Sequence, residues 1–311
     1  MMPAKTIVII GPTASGKSDL AILLAQKYNG EIISADSRQV YRGMDIGTGK
    51  VPRDTVGRHP KLDLGSFFSE GIRHHLLDVA SPKRTYNVTH FVRDAKRAIA
   101  DIRKRGKTPI ICGGTGFWIQ ALIEDQPFPA VKPNPELRKK LEKFSAEELF
   151  AQLKEKDPVR AQSIDAQNKV RLIRALEIVE ALGAVPPLPK QQGVRSKEQV
   201  YVIITLNPSQ EILYRNISVR LDKRLEQGMV AEVEKLRADG LSWKRLESFG
   251  LEYKYVALLL QKKITLDEMK ERLEFEIRHY AKRQLTWLRR FEKSHPLHWI
   301  TTPSEAEKLI T

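Results

Sequence analysis

Apolar runs and helical repeats alternate along the first part of the chain. Thr6 to Ile10 is a short apolar run rich in β-branched residues, and after a glycine-rich segment Asp19 to Tyr28 shows a helical period. A second apolar run covers Glu31 to Ala35, a helical repeat covers Thr89 to Arg105, and a third run covers Pro109 to Cys112. Strands that alternate with helices predict an α/β fold, with a parallel sheet flanked by helices.

The middle of the chain interrupts this alternation. Four prolines lie between positions 127 and 135, and the residues that follow, up to about Leu182, are helical in pattern without a convincing strand. A fourth apolar run, Val200 to Leu206, appears only after a segment rich in glycine and proline. We therefore predict a core in two parts, residues 1–131 and 200–311, around a helical insertion at residues 132–199, with long helices at 209–240 and 266–291.

Composition indicates the cellular compartment and the chemical class of the binding partner. The 311 residues carry a net charge of +15 and contain one cysteine, Cys112, which excludes an internal disulfide or a cysteine-based zinc cage. Cys112 lies in an apolar run and is expected in the core. No apolar span long enough for a membrane helix is visible, so we expect a cytoplasmic protein with no membrane partner. The excess charge favours a polyanionic partner on the folded surface, although a merely basic soluble protein remains an alternative.

The glycine-rich segment after the first run carries the clearest chemistry. It matches the P-loop pattern G-x-x-x-x-G-K-[ST] between a predicted strand and a predicted helix, so the fold is expected to be P-loop NTPase-like. In such a loop the backbone and the helix N-terminus bind phosphate, the lysine adds a charge, and the last hydroxyl ligates Mg²⁺. The eight residues are Gly11, Pro12, Thr13, Ala14, Ser15, Gly16, Lys17 and Ser18.

A P-loop alone indicates a bound nucleoside triphosphate, but the usual second feature is missing. In P-loop NTPases an apolar strand ends in an aspartate that holds Mg²⁺. Here the run Pro109 to Cys112 continues into Gly-Gly-Thr-Gly, with no carboxylate. The pattern therefore argues against a motor or a GTPase and favours a small kinase-like or transferase site.

Two further loops follow predicted strands. Asp36 ends the second run and could accept a proton from a nucleophile. Arg38 and Gln39 could contact a nucleobase or a phosphate. The alternative is that Asp36 only caps a solvated loop. Gly113 to Gly116 could form a second anion-binding turn, with the Thr115 hydroxyl facing a phosphate oxygen. The residues after it, Phe117, Trp118, Ile119 and Leu122, could line a pocket, but core packing is the commoner outcome.

Other polar groups give weaker indications. Adjacent His74 and His75 on a strand point to opposite faces, so we predict a strand ending at Asp78 and no metal site. Arg171 and Arg174 share one helix face, and Arg220 and Arg224 share another. Paired arginines suit phosphate or diphosphate, and solvated helix faces are the alternative.

The order of these motifs resembles the bacterial tRNA dimethylallyltransferases, also called tRNA isopentenyltransferases. The matching stretches cover nearly the whole chain. They read GPTASGKS at 11–18, SADSRQVYRGMDIGTGK at 34–50, HHLLDV at 74–79, GGTGFWI at 113–119, RLIRALE at 171–177, RLDKRLEQGMVAEV at 220–233, LESFGLEYK at 246–254 and YAKRQLTWLRR at 280–290.

This resemblance implies an activity. Enzymes of this family move a dimethylallyl group from its diphosphate to N6 of the adenosine 3′ of the anticodon, in tRNAs that read codons beginning with U. The diphosphate would lie in the P-loop with Mg²⁺, held by Lys17, Ser18 and Arg220. Asp36 would take the N6 proton, and Thr115 would touch the bridging region of the diphosphate.

The resemblance also implies a partner, the tRNA anticodon stem–loop, and we expect the enzyme to act as a monomer. The residues expected to contact tRNA are Asp36, Ser37, Arg38, Gln39, Thr115, Arg138, Arg171 and Arg174. Two other functions remain open from the sequence: a P-loop nucleoside or metabolite kinase, and a non-catalytic RNA-binding protein.

Overall fold

A computed structural model describes residues 5–54, 66–187 and 201–310. The chain divides into two compact units, one made of Met1–Glu124 and Arg195–Thr311 and the other of Asp125–Val194. We call the first the core unit and the second the helical unit. The sequence prediction placed these divisions a few residues later, at 131/132 and 199/200. The second division falls outside the described residues.

Strands and helices alternate along the core unit, as the sequence pattern predicts. In chain order the described elements are β1 (Thr6–Ile10), α1 (Lys17–Lys27), β2 (Gly30–Ser34), β3 (Phe67–Ser69), β4 (Ile72–His75), α2 (Val88–Lys104), β5 (Thr108–Gly113), α3 (Gly116–Ile123), α4 (Pro135–Leu141), α5 (Ala146–Lys156), α6 (Pro158–Ala161), α7 (Lys169–Leu182), β6 (Tyr201–Leu206), α8 (Gln210–Glu226), α9 (Met229–Ala238), α10 (Trp243–Ser248), α11 (Leu251–Leu260), α12 (Leu266–Phe291), β7 (His298–Ile300) and α13 (Pro303–Ile310).

The described strands form one seven-stranded sheet in the order β3-β4-β2-β5-β1-β6-β7. Every neighbouring pair is parallel except β3 and β4. All residues of β1 and β2 are buried, which is what a parallel sheet covered by helices requires and why its strands are continuous apolar runs. The predicted parallel α/β fold is confirmed.

Helix α2 shows how the local pattern determines the packing. The six apolar residues that share one side of the predicted helix are its buried residues: Phe91, Val92, Ala95, Ala98, Ile99 and Ile102. The Asn87 side chain accepts a hydrogen bond from the backbone N–H of His90 and so begins the helix. Trp118 of α3 packs in the core and stacks on Phe91 with ring centroids 4.7 Å apart, whereas the preceding Phe117 is exposed.

Two predicted elements are wrong in extent. The single helix expected at 209–240 is two helices, α8 and α9, separated at Gly228, whose φ of 95° no continuing helix adopts. The apolar period continues across the break, so only the glycine marks it. The strand expected to end at Asp78 ends at His75, because Leu76 and Asp78 have φ angles of 64° and 56°, which turn the chain away from the sheet.

The helical unit has an apolar core of its own. Leu149 and Leu153 of α5 are fully buried together with Leu172 and Leu176 of α7. Each of α4 to α7 begins at a polar residue whose side chain accepts a backbone N–H of the first turn. Those residues are Asn134, Ser145, Asp157 and Asn168. The described residues of this unit are helical without a strand, as predicted. In the part of the chain that the structure describes, no helix combines the length and apolar character needed to cross a membrane.

Candidate functional site

The P-loop joins the end of β1 to the start of α1. Ala14 and Gly16 have φ angles of 61° and 86°, and Gly16 directly precedes the helix. Residues in the left-handed region at a helix N-terminus are typical of backbone nests that bind anions. The Lys17 ammonium donates a hydrogen bond to the carbonyl oxygen of Pro12 at 2.5 Å. It therefore lies against the P-loop, where its charge is expected to bind phosphate.

The loops after β1, β2 and β5 open into one cavity of about 490 Å³ in the core unit. This is the arrangement expected at the carboxyl edge of a parallel sheet. The residues singled out from the sequence that line the cavity are Thr13, Lys17, Ser18, Asp36, Ser37, Arg38, Gln39, Arg220 and Arg224, together with His74, Cys112, Gly113 and Gly114. The other P-loop residues and Thr115 do not line it.

Two cations in the cavity are partly desolvated. Burial is the main cause that lowers the pKa of Lys17 to about 8. Burial, followed by the neighbouring charge of Arg224, lowers the pKa of Arg220 to about 10. A buried cation has its pKa lowered when the surrounding protein does not compensate its charge. The cavity is therefore electrostatically suited to a multiply charged anion.

The two arginines of α8 have different surroundings. Arg224 is buried and forms an ion pair with Glu252, whose Oε1 lies 2.5 Å from Nη1. Arg220 donates to the Thr13 hydroxyl at 3.4 Å, and no carboxylate among the described residues lies within ion-pair distance of it. The charge of Arg220 is therefore the one that the site leaves uncompensated. The i, i+4 spacing in the sequence does not reveal this difference.

Asp36 caps the turn after β2 and also lines the cavity. Its Oδ1 accepts hydrogen bonds from the backbone N–H groups of Arg38 at 2.8 Å and Gln39 at 3.3 Å. This is the capping role that the sequence left open as an alternative. No described residue donates a hydrogen bond to Oδ2. One carboxylate oxygen thus shapes the turn while the other remains able to accept a proton.

Thr115 and Gln284 link the loops that form the site. The Thr115 hydroxyl oxygen accepts the Ser37 N–H at 3.0 Å, which ties the turn after β5 to the Asp36 loop. Gln284 of α12 accepts the Thr13 N–H at 2.8 Å and donates to the Gly114 carbonyl at 2.9 Å. Sequence reasoning missed Gln284. An amide in the stripe of buried residues that includes Ala281 and Leu288 is the signal that indicates a buried polar contact.

Arg38 and Gln39 are engaged within the protein. The Arg38 Nε donates to the Phe249 carbonyl at 2.7 Å. The Gln39 amide nitrogen lies 3.3 Å from the Thr48 carbonyl and 3.2 Å from that of Gly49. Both side chains therefore order the walls of the cavity that they line.

The arginines of the helical unit also fall into two classes. Arg138 and Arg174 lie 2.6 and 3.1 Å from the buried carboxylate of Glu177. Burial opposes ionisation of Glu177, but the hydrogen bonds from Arg138, the Asn134 N–H and Arg174 outweigh it and lower the pKa of this carboxyl. Arg171 is exposed, and no described residue contacts its guanidinium.

A metal ion would find few protein ligands here. No group of three or more His, Cys, Asp or Glu side chains in the described residues could hold one. His75 pairs with Glu31 at 2.7 Å, while His74 is buried and has its pKa lowered to about 4 mainly by burial. Ser18 and Asp36 both line the cavity. Mg²⁺ usually takes one or two protein oxygens together with phosphate and water, so this donor set fits Mg²⁺ carried by a diphosphate.

Comparison with known proteins identifies the family of the chain. Family models described as "IPP transferase" and "Isopentenyl transferase" match residues 39–291 and 4–59. The tRNA dimethylallyltransferase 1 of Geotalea uraniireducens is 40% identical over 300 residues, which cover 96% of this chain and 93% of the relative. The tRNA dimethylallyltransferase of Anoxybacillus flavithermus is also 40% identical, with 96% and 91% covered.

Solved structures show the same likeness. The tRNA isopentenylpyrophosphate transferase of Bacillus halodurans is 33% identical with a TM-score of 0.65, covering 96% of this chain and 90% of its own. A eukaryotic dimethylallyltransferase acting on tRNA is 28% identical with a TM-score of 0.75, covering 98% and 76%. From the matched family model and the relatives aligned along almost the entire chain, this protein belongs to the IPP transferase family of tRNA dimethylallyltransferases.

Proposed function

We propose that this protein transfers a dimethylallyl group from dimethylallyl diphosphate to N6 of the adenosine 3′ to the anticodon, in tRNAs that read codons beginning with U. The observation that carries the proposal is one cavity with two partly desolvated cations, Lys17 and Arg220, beside Asp36, whose Oδ2 accepts no hydrogen bond from a described residue. The cations suit a diphosphate leaving group. The carboxylate suits the loss of a proton from the nucleophile.

The leaving group is the first requirement of the reaction. As the bond between C1 of the allyl group and the diphosphate oxygen breaks, its electron pair passes to that oxygen. Lys17 and Arg220 stabilise the added charge, and they do so strongly because the cavity is partly desolvated. Mg²⁺ bound to the diphosphate and the Ser18 hydroxyl would supply further charge neutralisation.

The nucleophile is the second requirement. The target adenine must leave its base stack to reach the cavity. Its N6 forms the new bond to C1, and the Oδ2 of Asp36 takes the N6 proton. The hydrogen bonds to Oδ1 keep this carboxylate in one orientation. Thr115 supports this carboxylate indirectly, because its hydroxyl oxygen accepts the Ser37 N–H and so holds the loop that carries Asp36.

The helical unit supplies the proposed contacts with the anticodon stem–loop. Its exposed arginine, Arg171, is free to bind a phosphate, while Arg138 and Arg174 are already paired with Glu177. We infer that Arg171 contacts the tRNA backbone directly and that the other two arginines mainly hold α4 and α7 together. A kinase gains no support, since the relatives found are prenyltransferases and β5 ends without a carboxylate.

One assay tests the proposal. The protein is incubated with dimethylallyl diphosphate, Mg²⁺ and unmodified tRNA, and the digested tRNA is examined for prenylated adenosine by mass spectrometry. Turnover of ATP without that product would instead favour the kinase. Asp36→Asn keeps an oxygen that can cap the turn but removes the base, so we expect kcat to fall by about 10²–10⁴ with tRNA affinity unchanged. Undiminished turnover would exclude Asp36 as the base.

A further inference from the structure

Glu232 of α9 lies outside the cavity but holds one of its walls. Its Oε2 accepts the backbone N–H groups of Asp45 and Ile46, both at 2.7 Å. Its Oε1 accepts the Gly47 N–H at 3.1 Å and the Tyr253 hydroxyl at 2.7 Å. Three consecutive backbone donors on one carboxylate make an anion nest whose anion is part of the protein.

The segment that Glu232 holds leads directly to the arginines of α8. Gly47, Thr48 and Gly49 line the cavity. The Gly49 backbone lies so close to Arg220 and Arg224 that a Cβ atom there would be 2.0 Å from the Nη2 atom of each. The position of this segment therefore determines the space in which the Arg220 guanidinium can lie.

Tyr253 restricts the same segment from the other side. Its ring packs against Gly47, where a Cβ atom would lie 2.8 Å from Cζ. Burial, together with the nearby charge of Glu232, raises the pKa of Tyr253 well above its usual value, so the hydroxyl stays protonated and donates. The Glu232 carboxylate thus accepts four hydrogen bonds, three from the backbone of the segment and one from Tyr253, whose ring packs against it.

We propose that Glu232 is a positioning residue for the prenyl-donor site and that it acts by holding residues 45–49 against Arg220. The identity of the ligand rests on the function proposed above. The backbone of residues 45–47, Glu232 and Tyr253 belong to the separate sequence stretches 34–50, 220–233 and 246–254. In the folded protein these residues meet through the hydrogen bonds to Glu232.

The test is a double-mutant cycle read by calorimetric binding of inorganic diphosphate with Mg²⁺. Glu232→Gln places an amide N–H₂ where only donors are present, so at least one backbone hydrogen bond to a charged acceptor is lost. We expect about tenfold weaker diphosphate binding and a raised KM for dimethylallyl diphosphate. In an Arg220→Ala background the same change should weaken binding less than about twofold, because the group through which Glu232 acts is gone.

Glu234→Gln is the matched control. It removes the same charge from an exposed position of α9 and should leave diphosphate binding unchanged. Tyr253→Phe removes one of the four hydrogen bonds and should cause an intermediate loss; it decides the question if the Glu232 variant does not fold. Equal losses from Glu232→Gln with and without Arg220 would overturn the proposal, and so would unchanged binding in both the Glu232 and Tyr253 variants.

The proposal and the proposed function fail in distinguishable ways. If the wild-type protein binds diphosphate and the cycle shows coupling, but tRNA is not prenylated, the positioning role stands and the proposed reaction is wrong. If tRNA is prenylated but the cycle is additive, the reaction stands and Glu232 has only a structural role.

Discussion

Gly49→Ala is the most informative single substitution at this site. The added Cβ would lie 2.0 Å from the Nη2 atoms of Arg220 and Arg224. An ordinary van der Waals separation from these two atoms would need about 1.5 Å more space than the structure provides. Arg224 is held by Glu252 in a buried ion pair, so the displacement falls mainly on Arg220, whose only described side-chain partner is the Thr13 hydroxyl.

The expected magnitude has two parts. Misplacement of a charge-stabilising group by about 1 Å can cost about a hundredfold in rate, so we expect kcat/KM for dimethylallyl diphosphate to fall by about that factor. Gly49 has a φ of 62°, and an alanine there costs about 1–2 kcal/mol of stability. The folded protein is therefore expected to persist with a Tm lowered by a few degrees, while most of the activity is lost.

Gly43→Ala separates these two effects. Gly43 has a φ of 73° in the same loop, but a Cβ there would meet only Leu236 Cδ2 at an ordinary 3.7 Å. It should show the same loss of Tm and nearly full activity when prenylated adenosine is measured at several concentrations of donor. Equal activity losses in the two variants would refute the reasoning, because backbone strain alone would then explain both. A Gly49 variant within about threefold of wild type would refute it too.

Three further predictions concern other parts of the molecule. Gln284→Leu leaves the two backbone groups it bridges without partners, so urea unfolding should show a loss of about 2–4 kcal/mol. Because Lys17 has its pKa lowered to about 8 by burial, diphosphate binding measured by calorimetry should be constant well below pH 8 and weaken by up to about tenfold per pH unit above it. Lys17→Met should remove that dependence. Arg171→Ala should weaken tRNA binding and lower its salt slope by about one, whereas Arg174→Ala should mainly destabilise the fold by depriving Glu177 of a partner.

The sheet was predictable because of how it is buried. Strands covered on both faces are continuous apolar runs, so β1, β2, β5 and β6 are visible in the sequence to within a residue or two. The three-residue strands β3 and β7 are too short to carry a period, and they were missed. The break between α8 and α9 was missed for the opposite reason, because the apolar period runs through it.

The P-loop and Asp36 were visible because each follows directly after a strand. The contacts that shape the site were not, because they join residues far apart in the chain. Gln284 bridges two loops more than 100 residues away from it, and Glu232 holds a segment near the other end of the core unit. No local pattern distinguishes a glutamate that holds a loop from one on a solvated helix face. Spacing alone likewise could not separate Arg220 from Arg224, since the difference depends on Glu252 in α11.

Steric crowding at the end of β5 explains why no carboxylate follows this strand, and it distinguishes the site from that of a phosphoryl-transfer enzyme. A Cβ at Gly113 would lie 2.3 Å from the Ala35 carbonyl oxygen, and one at Gly114 would lie 2.5 Å from the Gln284 amide nitrogen. The Ala35 backbone thus leaves no space for a side chain at Gly113, and a side chain at Gly114 would have to displace the Gln284 amide, so the end of β5 is poorly suited to the metal-holding aspartate of a phosphoryl-transfer enzyme. In the function proposed above, the charge that the protein itself offers to the diphosphate comes from Lys17 and Arg220, which belong to α1 and α8. In the proposed reaction these two cations stabilise the departing diphosphate, while Asp36 at the end of β2 receives the proton of the incoming nucleophile.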